Sequence, residues 1–342
     1  MPKGPALWVW ALIAWTPSLL AIYHYIMMET LLLLLEGVAL WMTARYLRKG
    51  GSEAFLVSVV LWTLASLTKP TVIPLAGVCV AWSCWKRIPK LRTIAAAVAL
   101  IIVLLAPQAI RSEIALGFIA PFGNPWLTKI QHRSGVKTLY VNFYTHPNNY
   151  FHFKADPIYA MIFSSPSCYM HPLAPLSDWT MRRAQGDSQL IVKIDSSKGA
   201  QDWKNAYAGL DVDAQEWLDQ WRENLVLFFF SPSWPESSGD GLEDRMESAT
   251  RWLWAPLILV VLVGNIRFFK QRRFALIPVA ATLFTLFLAL QNVVTAEGRY
   301  RKPLEPLLLM NLVWIVAAVL TERKARRAQP QDVALPTGAA SR

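Results

Sequence analysis

The chain has 342 residues, of which 54% are hydrophobic and 16 are tryptophans, and its formal net charge is +11. This composition is too apolar and too rich in tryptophan for an ordinary soluble domain. The basic residues fall in short clusters beside apolar runs, a pattern that is typical of a polytopic membrane protein and disfavours nucleic-acid binding.

Eight apolar stretches follow one another along the chain, and several approach the roughly 20 residues that cross a bilayer as a helix. They cover residues 6–26, 28–47, 54–68, 70–85, 93–110, 252–266, 274–294 and 304–321. The pair at 54–68 and 70–85 is short, so length alone does not separate one crossing from two. The basic clusters on either side favour two crossings, because an even number of crossings must separate two cytoplasmic clusters. These clusters are Arg45, Arg48 and Lys49 before the pair, and Lys86, Arg87, Lys90 and Arg92 after it.

The same rule places both termini in the cytoplasm. The predicted fold is an α-helical polytopic protein of the cytoplasmic (inner) membrane, with about eight transmembrane helices and one large extracytoplasmic mixed domain. Transmembrane helices 1–5 are predicted within residues 1–111, and helices 6–8 within residues 252–321. The extracytoplasmic domain between them covers residues 112–251, and a basic cytoplasmic tail covers residues 322–342. The tail is rich in proline, alanine, glycine and polar residues, and it is predicted to be disordered.

The predicted extracytoplasmic segment is too long for a connecting loop. Its second part holds an amphipathic pattern from Asp211 to Phe230, in which Trp217, Trp221 and Phe228 recur at helical spacing. A helix with this stripe fits a position along the membrane surface, but it equally fits packing against its own domain.

Several ionisable residues fall at the predicted outer ends of the helices: Glu29, Lys69, Arg111, Glu297, Arg299 and Arg301. Charges at membrane depth usually face one another or a wet cavity, because exposure to lipid costs several kcal/mol. Taken singly, each has a structural reading as a helix-end anchor, a cap or a boundary marker. Together they predict an outward-facing pocket for an anionic lipid headgroup. Glu36 lies deeper, and we expect it to be neutral or paired with a cation rather than catalytic.

Metal and cofactor signals are weak in this sequence. The cysteines show neither a disulfide framework nor metal-ligand spacing, and the histidines are scattered, so no metal site and no cofactor are expected. We find no nucleotide-binding motif, which favours a lipid-carried sugar donor if the protein is a transferase.

Three short motifs carry a family resemblance. They are 64–70 (Leu-Ala-Ser-Leu-Thr-Lys-Pro), 106–111 (Ala-Pro-Gln-Ala-Ile-Arg) and 297–303 (Glu-Gly-Arg-Tyr-Arg-Lys-Pro). In this order they resemble motifs of the glycosyltransferase C superfamily, in particular its protein O-mannosyltransferase and lipid A aminoarabinose transferase branch. The stretch from Pro17 to Thr30 is similar to a membrane turn of that family with an acidic residue.

The resemblance implies an integral membrane glycosyltransferase that transfers a sugar from a polyprenyl-phosphate donor to an extracytoplasmic acceptor, with inversion. It also implies that Lys69, Arg299 and Arg301 stabilise the departing phosphate and that Tyr300 supports the lipid phosphate. Arg111, at the matched helix exit, joins this donor-binding set. The expected partners are therefore the lipid-linked sugar and membrane lipid.

The sequence departs from the family at the catalytic residue. The family places a catalytic aspartate in its first outer loop, whereas no outer loop and no Asp-Glu pair lie between Met1 and Glu29. Four explanations stay open: the start is lost or misassigned, a protein partner supplies the missing N-terminal helices, Glu29 has taken over, or the chain is not catalytic.

Two further hypotheses compete with the transferase. One is a non-catalytic membrane scaffold or accessory subunit of a cell-envelope glycan assembly system. The other is a polysaccharide polymerase or ligase, although such proteins usually keep their essential arginines within a large loop.

Overall fold

The computed structural model describes residues 8, 11–12, 28–123, 138–144, 159–164, 168–172, 189–195, 200–208, 214, 218, 221, 225, 228–229, 242–272, 274–290 and 301–328. Most of these residues are helical. The helices are α1 (Met28–Lys49), α2 (Ser52–Thr68), α3 (Ile73–Lys86), α4 (Leu91–Leu116), α5 (Ala200–Ala208), α6 (Leu242–Lys270), α7 (Leu276–Leu290) and α8 (Glu305–Ala328).

Helices α1 to α4 pack as one group, with α2 against α1 and α4, and α3 against α1 and α2. Gly50 and Gly51 reverse the chain between α1 and α2 with φ of 75° and 96°, a left-handed region that glycine enters without strain. At this end of the group the Tyr46 hydroxyl donates to the Arg87 carbonyl oxygen at 2.6 Å. The end of α1 is therefore fixed to the end of α3.

Helices α6 to α8 form a second set that packs on the first through α7 and α3. The side-chain amide of Asn265 in α6 donates to the Pro278 carbonyl at 3.2 Å and to the Thr282 hydroxyl at 2.9 Å in α7. Arg267 of α6 lies 3.6 Å from Glu322 of α8. The end of α6 is thus held beside the start of α7 and the last turns of α8.

A four-stranded sheet lies in the chain between α4 and α6. Its strands are β1 (Thr138–Tyr144), β2 (Tyr159–Ser164), β3 (Cys168–Pro172) and β4 (Gln189–Asp195). The order is β3-β2-β1-β4, in which β1 pairs antiparallel with β2 and parallel with β4. Because β1 and β4 run in parallel, a crossover must separate them in the chain.

Four of the described helices have the length and apolarity that membrane crossing requires. Four spans in the described part of the chain meet that criterion: Glu29–Lys49, Leu91–Ile114, Leu253–Lys270 and Glu305–Ala325. Helices α2 and α7 are apolar but shorter. The predicted α-helical membrane character is confirmed at this level, whereas the number of eight crossings stays a prediction, and only residues 8, 11 and 12 of the first predicted crossing, 6–26, are described.

The observed helix limits differ from the predicted ones on both sides of the sheet segment. Helix α4 continues past Arg111 to Leu116 and ends at Gly117, whose left-handed conformation (φ 71°) forms the cap. Helix α6 begins at Leu242, inside the segment that the sequence assigned to the extracytoplasmic domain. Pro107 and Pro256 lie within these helices, and proline is tolerated inside transmembrane helices.

Candidate functional site: two turns with buried charges

The first turn contains Lys69 and follows α2. Pro70 disfavours helical backbone at the residue before it, and Lys69 is extended with φ −148° and ψ 108°. A short 3₁₀ helix, Pro70–Val72, then leads into α3. We call Lys69–Val72 the lysine turn. Its lysine is only 7% exposed although it lies at a helix end.

Glu29 is the carboxylate partner of this lysine. It lies in the first turn of α1, where the helix dipole favours an acidic side chain. The Lys69 Nζ atom lies 3.4 Å from Glu29 Oε1, and both side chains are buried. The sequence predicted that these two residues share one end of the helices, and the structure places them in direct contact.

The second turn, residues 301–304, immediately precedes α8, and we call it the arginine turn. Arg301 Nε lies 3.4 Å from Glu305 Oε1, and Lys302 Nζ lies 3.5 Å from Glu305 Oε2. All three side chains are at most 1% exposed. One carboxylate at the start of α8 therefore bridges two buried cations.

Arg301 also joins the arginine turn to a segment that follows the sheet in the chain. Its Nη1 atom donates to the backbone carbonyl oxygens of Phe228 and Phe229. Its guanidinium lies over the Trp254 ring, 5.8 Å from the ring centroid, as in a cation–π contact. Burial lowers the pKa of Arg301 from its ordinary value, and the neighbouring Glu305 carboxylate opposes that change.

Trp221 holds the same post-sheet segment against α7, because its indole nitrogen donates to the Ala289 carbonyl at 3.0 Å. Phe228 belongs to the buried apolar core together with residues of α6, α7 and α8. Trp221 and Phe228, two described positions of the predicted amphipathic helix, thus contact α6, α7 and α8, whereas Leu218 is exposed.

One apolar core borders both turns. It includes Leu32, Ala65 and Val72 near the lysine turn, and Leu304 and Leu307 at the arginine turn. Three cations and two carboxylates are therefore buried beside apolar side chains. Charges in such surroundings interact more strongly than charges in water.

A buried polar atom without a hydrogen-bond partner among the described residues lies in the lysine turn, and another lies beside the arginine turn. These atoms are the Thr71 hydroxyl in the lysine turn and the Trp254 indole nitrogen under Arg301. Native proteins leave few buried polar groups unsatisfied, and each exception calls for a physical explanation. Both groups can donate a hydrogen bond to an anion.

The other predicted site residues are Arg111, Arg299 and Tyr300. Arg111 is an exposed side chain within α4, while Arg299 and Tyr300 lie outside the described residues. Glu36 is 2% exposed, and neither of its carboxyl oxygens has a hydrogen-bond partner in the described part of the chain. Of the two expectations for Glu36, pairing with a cation is therefore not found among the described residues.

Sequence reasoning missed Lys302, Glu305 and Trp254 as neighbours of Arg301. The spacing of Arg301 and Glu305, four residues apart at a helix start, was a usable signal for the ion pair. The carbonyl groups of Phe228 and Phe229 left no such signal, because backbone oxygens are common to every residue. Among the described residues no group of three histidine, cysteine or acidic side chains could hold a metal ion.

Comparison with protein-family models, with curated proteins and with solved structures gives no significant match. The resemblance to the glycosyltransferase C superfamily therefore rests on the three sequence motifs and stays a prediction.

Proposed function

We propose that this protein is an integral membrane glycosyltransferase-like protein that transfers a sugar from a polyprenyl-phosphate donor to an extracytoplasmic acceptor. One observation carries the proposal: each of the two turns buries a cation and has, within the turn or beside it, a hydrogen-bond donor without a partner among the described residues. Lys69 has Thr71 in its turn, and Arg301 lies over Trp254. Cations and free donors together form the binding chemistry of a phosphate.

The chemistry of sugar transfer explains why such groups would be needed. Negative charge develops on the departing lipid phosphate, and donors that are already oriented stabilise it most effectively in surroundings that exclude water. Arginine offers several fixed donors to one phosphate, while lysine acts as a compact charge. In this proposal Lys69, Arg111, Arg299 and Arg301 bind the lipid phosphate, and Tyr300 supports it.

Glu29 is the candidate general base. A base must accept a proton from the acceptor within hydrogen-bond reach. The contact with Lys69 orients the Glu29 carboxylate in the free protein. When the Lys69 ammonium turns towards the donor phosphate, the carboxylate becomes available to the acceptor.

Chain direction supports a common face for the two turns. Helix α1 begins beside the lysine turn, α2 ends there, and α3 begins there. The chain leaves this face in α3 and returns to it in α4, so α4 ends at the same face. The described residues between α4 and α6 include no membrane span. Helix α6 therefore enters from the face at which α4 leaves, and the arginine turn between α7 and α8 returns to it. Eight crossings, an external sheet and cytoplasmic termini complete this proposed topology.

The decisive experiment compares polyprenyl phosphate with the corresponding polyprenyl alcohol, using the purified full chain in detergent. We expect the phosphate to bind at least about tenfold more tightly, since a charge-assisted contact contributes about 1.5–3 kcal/mol. Thr71→Val removes the unsatisfied hydroxyl with little change in shape, so it should weaken phosphate binding without destabilising the fold. Equal binding of phosphate and alcohol would refute the proposal.

Thr68→Val is the matched control for this test. Its hydroxyl donates to the Leu64 carbonyl at 2.9 Å and is therefore already satisfied within α2. We expect this variant to bind polyprenyl phosphate as the unmodified protein does. Release of free polyprenyl phosphate from a sugar-loaded donor would then report transfer itself.

A second function, a non-catalytic scaffold or accessory subunit, is favoured by the contacts of Arg301. Its guanidinium is fully buried and already holds Glu305 and two backbone carbonyls. An arginine used in this way stabilises the junction between the post-sheet segment and α8. Recovery of a stoichiometric protein partner, with cellular glycans unchanged by Lys69→Met, would support the scaffold and contradict the transferase.

A further inference from the structure

A second charged region lies at the opposite end of helices α1 to α3, away from the lysine turn. We call it the basic loop surface. It comprises Arg45, Arg48 and Lys49 at the end of α1, and Lys86, Arg87, Lys90 and Arg92 around the α3–α4 connection. All seven side chains are exposed.

Tertiary contacts join these two basic segments, which lie about 40 residues apart in the chain. Besides the bond from Tyr46 to the Arg87 carbonyl, the Thr93 hydroxyl donates to the Ser52 hydroxyl at 2.9 Å. The Arg87 guanidinium packs against Gly50, where a Cβ atom would collide with it. These contacts hold the two basic segments side by side, so the seven cations lie on one surface.

Apolar side chains alternate with the cations on this surface. Trp85, Ile88 and Leu91 recur every third residue and are 65%, 85% and 81% exposed. The Lys86 ammonium lies over the Trp85 ring, 4.3 Å from its centroid. Tryptophan and lysine arranged in this way are characteristic of the boundary between lipid tails and headgroups.

The cations of the basic loop surface are not neutralised by carboxylates of the described residues. None of its seven cations forms an ion pair with a carboxylate in the described part of the chain. Glu53, in the first turn of α2, is the nearby acidic residue on the connecting chain. Anionic headgroups attract such clusters by about 1 kcal/mol for each lysine or arginine near the membrane surface.

We propose that the basic loop surface is a binding site for anionic phospholipid. The phosphate of the headgroup lies among Lys86, Lys90 and Arg92, while Trp85, Ile88 and Leu91 enter the adjoining acyl region. A soluble anion would use the cations but leave these apolar side chains in water, so the surface fits a lipid rather than free phosphate. It is separate from the site proposed for the sugar donor.

The test uses the delipidated full chain in detergent and native mass spectrometry. Phosphatidylglycerol is titrated against phosphatidylcholine with identical acyl chains, and retained lipid is counted. We expect the anionic lipid to be retained at least about tenfold better. The triple variant Lys86→Gln, Lys90→Gln, Arg92→Gln should lose that preference, because each cation contributes about a fivefold factor. Arg45→Gln with Arg48→Gln tests the α1 side independently.

The matched control is Arg323→Gln with Lys324→Gln, which removes two exposed cations from the end of α8. It should keep most of the preference. Equal retention of the two lipids by the unmodified protein would overturn the proposal. So would an unchanged triple variant, an equal loss in the Arg323→Gln, Lys324→Gln control, or displacement of the lipid by millimolar inorganic phosphate.

Discussion

The two buried turns and the basic loop surface contain the same kinds of residue but differ in their surroundings. In the turns, every described cation lies within 3.5 Å of a carboxylate and is almost completely buried. On the basic loop surface the cations are exposed and lack a carboxylate partner among the described residues. A buried charge requires compensation from the protein or a ligand, whereas an exposed one is solvated.

This difference separates residues that stabilise the fold from residues that bind lipid. Removing one partner of a buried ion pair leaves an uncompensated charge and costs about 3–5 kcal/mol. Exposed cations contribute little to folding, yet they attract anionic surfaces over about a Debye length. We therefore expect substitutions in the turns to change stability first, and those on the basic loop surface to change lipid binding alone.

The largest expected effect is that of Glu305→Gln. The substitution removes the carboxylate that bridges Arg301 and Lys302 while preserving side-chain shape, and we expect it to destabilise the fold by about 3–5 kcal/mol. Thermal unfolding in detergent, followed by circular dichroism, measures the change. The control is Glu322→Gln, since its partner Arg267 is largely exposed and that pair is worth less than about 1 kcal/mol. Similar unfolding temperatures for both variants would contradict the distinction between buried and exposed pairs.

The next effect is coupling between Glu29 and Lys69. Glu29→Gln and Lys69→Met should each be strongly destabilising, while the double variant should cost less than the sum by about 1–3 kcal/mol. Thermal unfolding of the unmodified protein, the two single variants and the double variant gives the coupling free energy. Strict additivity would show that the 3.4 Å contact contributes nothing to the lysine turn.

The smallest expected effect on stability is that of Lys90→Gln. This side chain is exposed, so the unfolding temperature should stay within the error of the measurement. Retention of phosphatidylglycerol should nevertheless decrease about fivefold. If Lys90→Gln unfolded at a clearly lower temperature, the basic loop surface would be part of the folded core rather than a lipid-contacting surface.

Much of the helical architecture could be predicted from local sequence. The apolar runs from residue 28 onward correspond to α1 to α4 and α6 to α8, because burial or lipid contact favours continuous apolar helices. The position of Glu29 and Lys69 at one end of the helices followed from the same pattern, since antiparallel helices bring the start of one beside the end of the next, whereas their direct contact was found only in the structure. Lys69 before Pro70 also marked the turn itself.

The sheet and the surroundings of Arg301 could not be predicted in this way. Strand β1 pairs with β4, which is distant in the chain, and such pairing has no local signature. The predicted domain segment therefore gave no strand positions. Likewise, the carbonyl oxygens of Phe228 and Phe229 contact Arg301 although the two segments are about 70 residues apart in the sequence.

The sequence by itself determined where the helices lie and which charges fall at their ends, because periodicity, proline and charge clusters act over a few residues. Only the tertiary structure decided which of those charges are buried. It enclosed Arg301 and Lys302 around Glu305 and left Lys86 and Lys90 exposed, although all four adjoin apolar helices. The physical reason is that burial depends on neighbours contributed by distant segments, and those neighbours set the electrostatic cost of each charge.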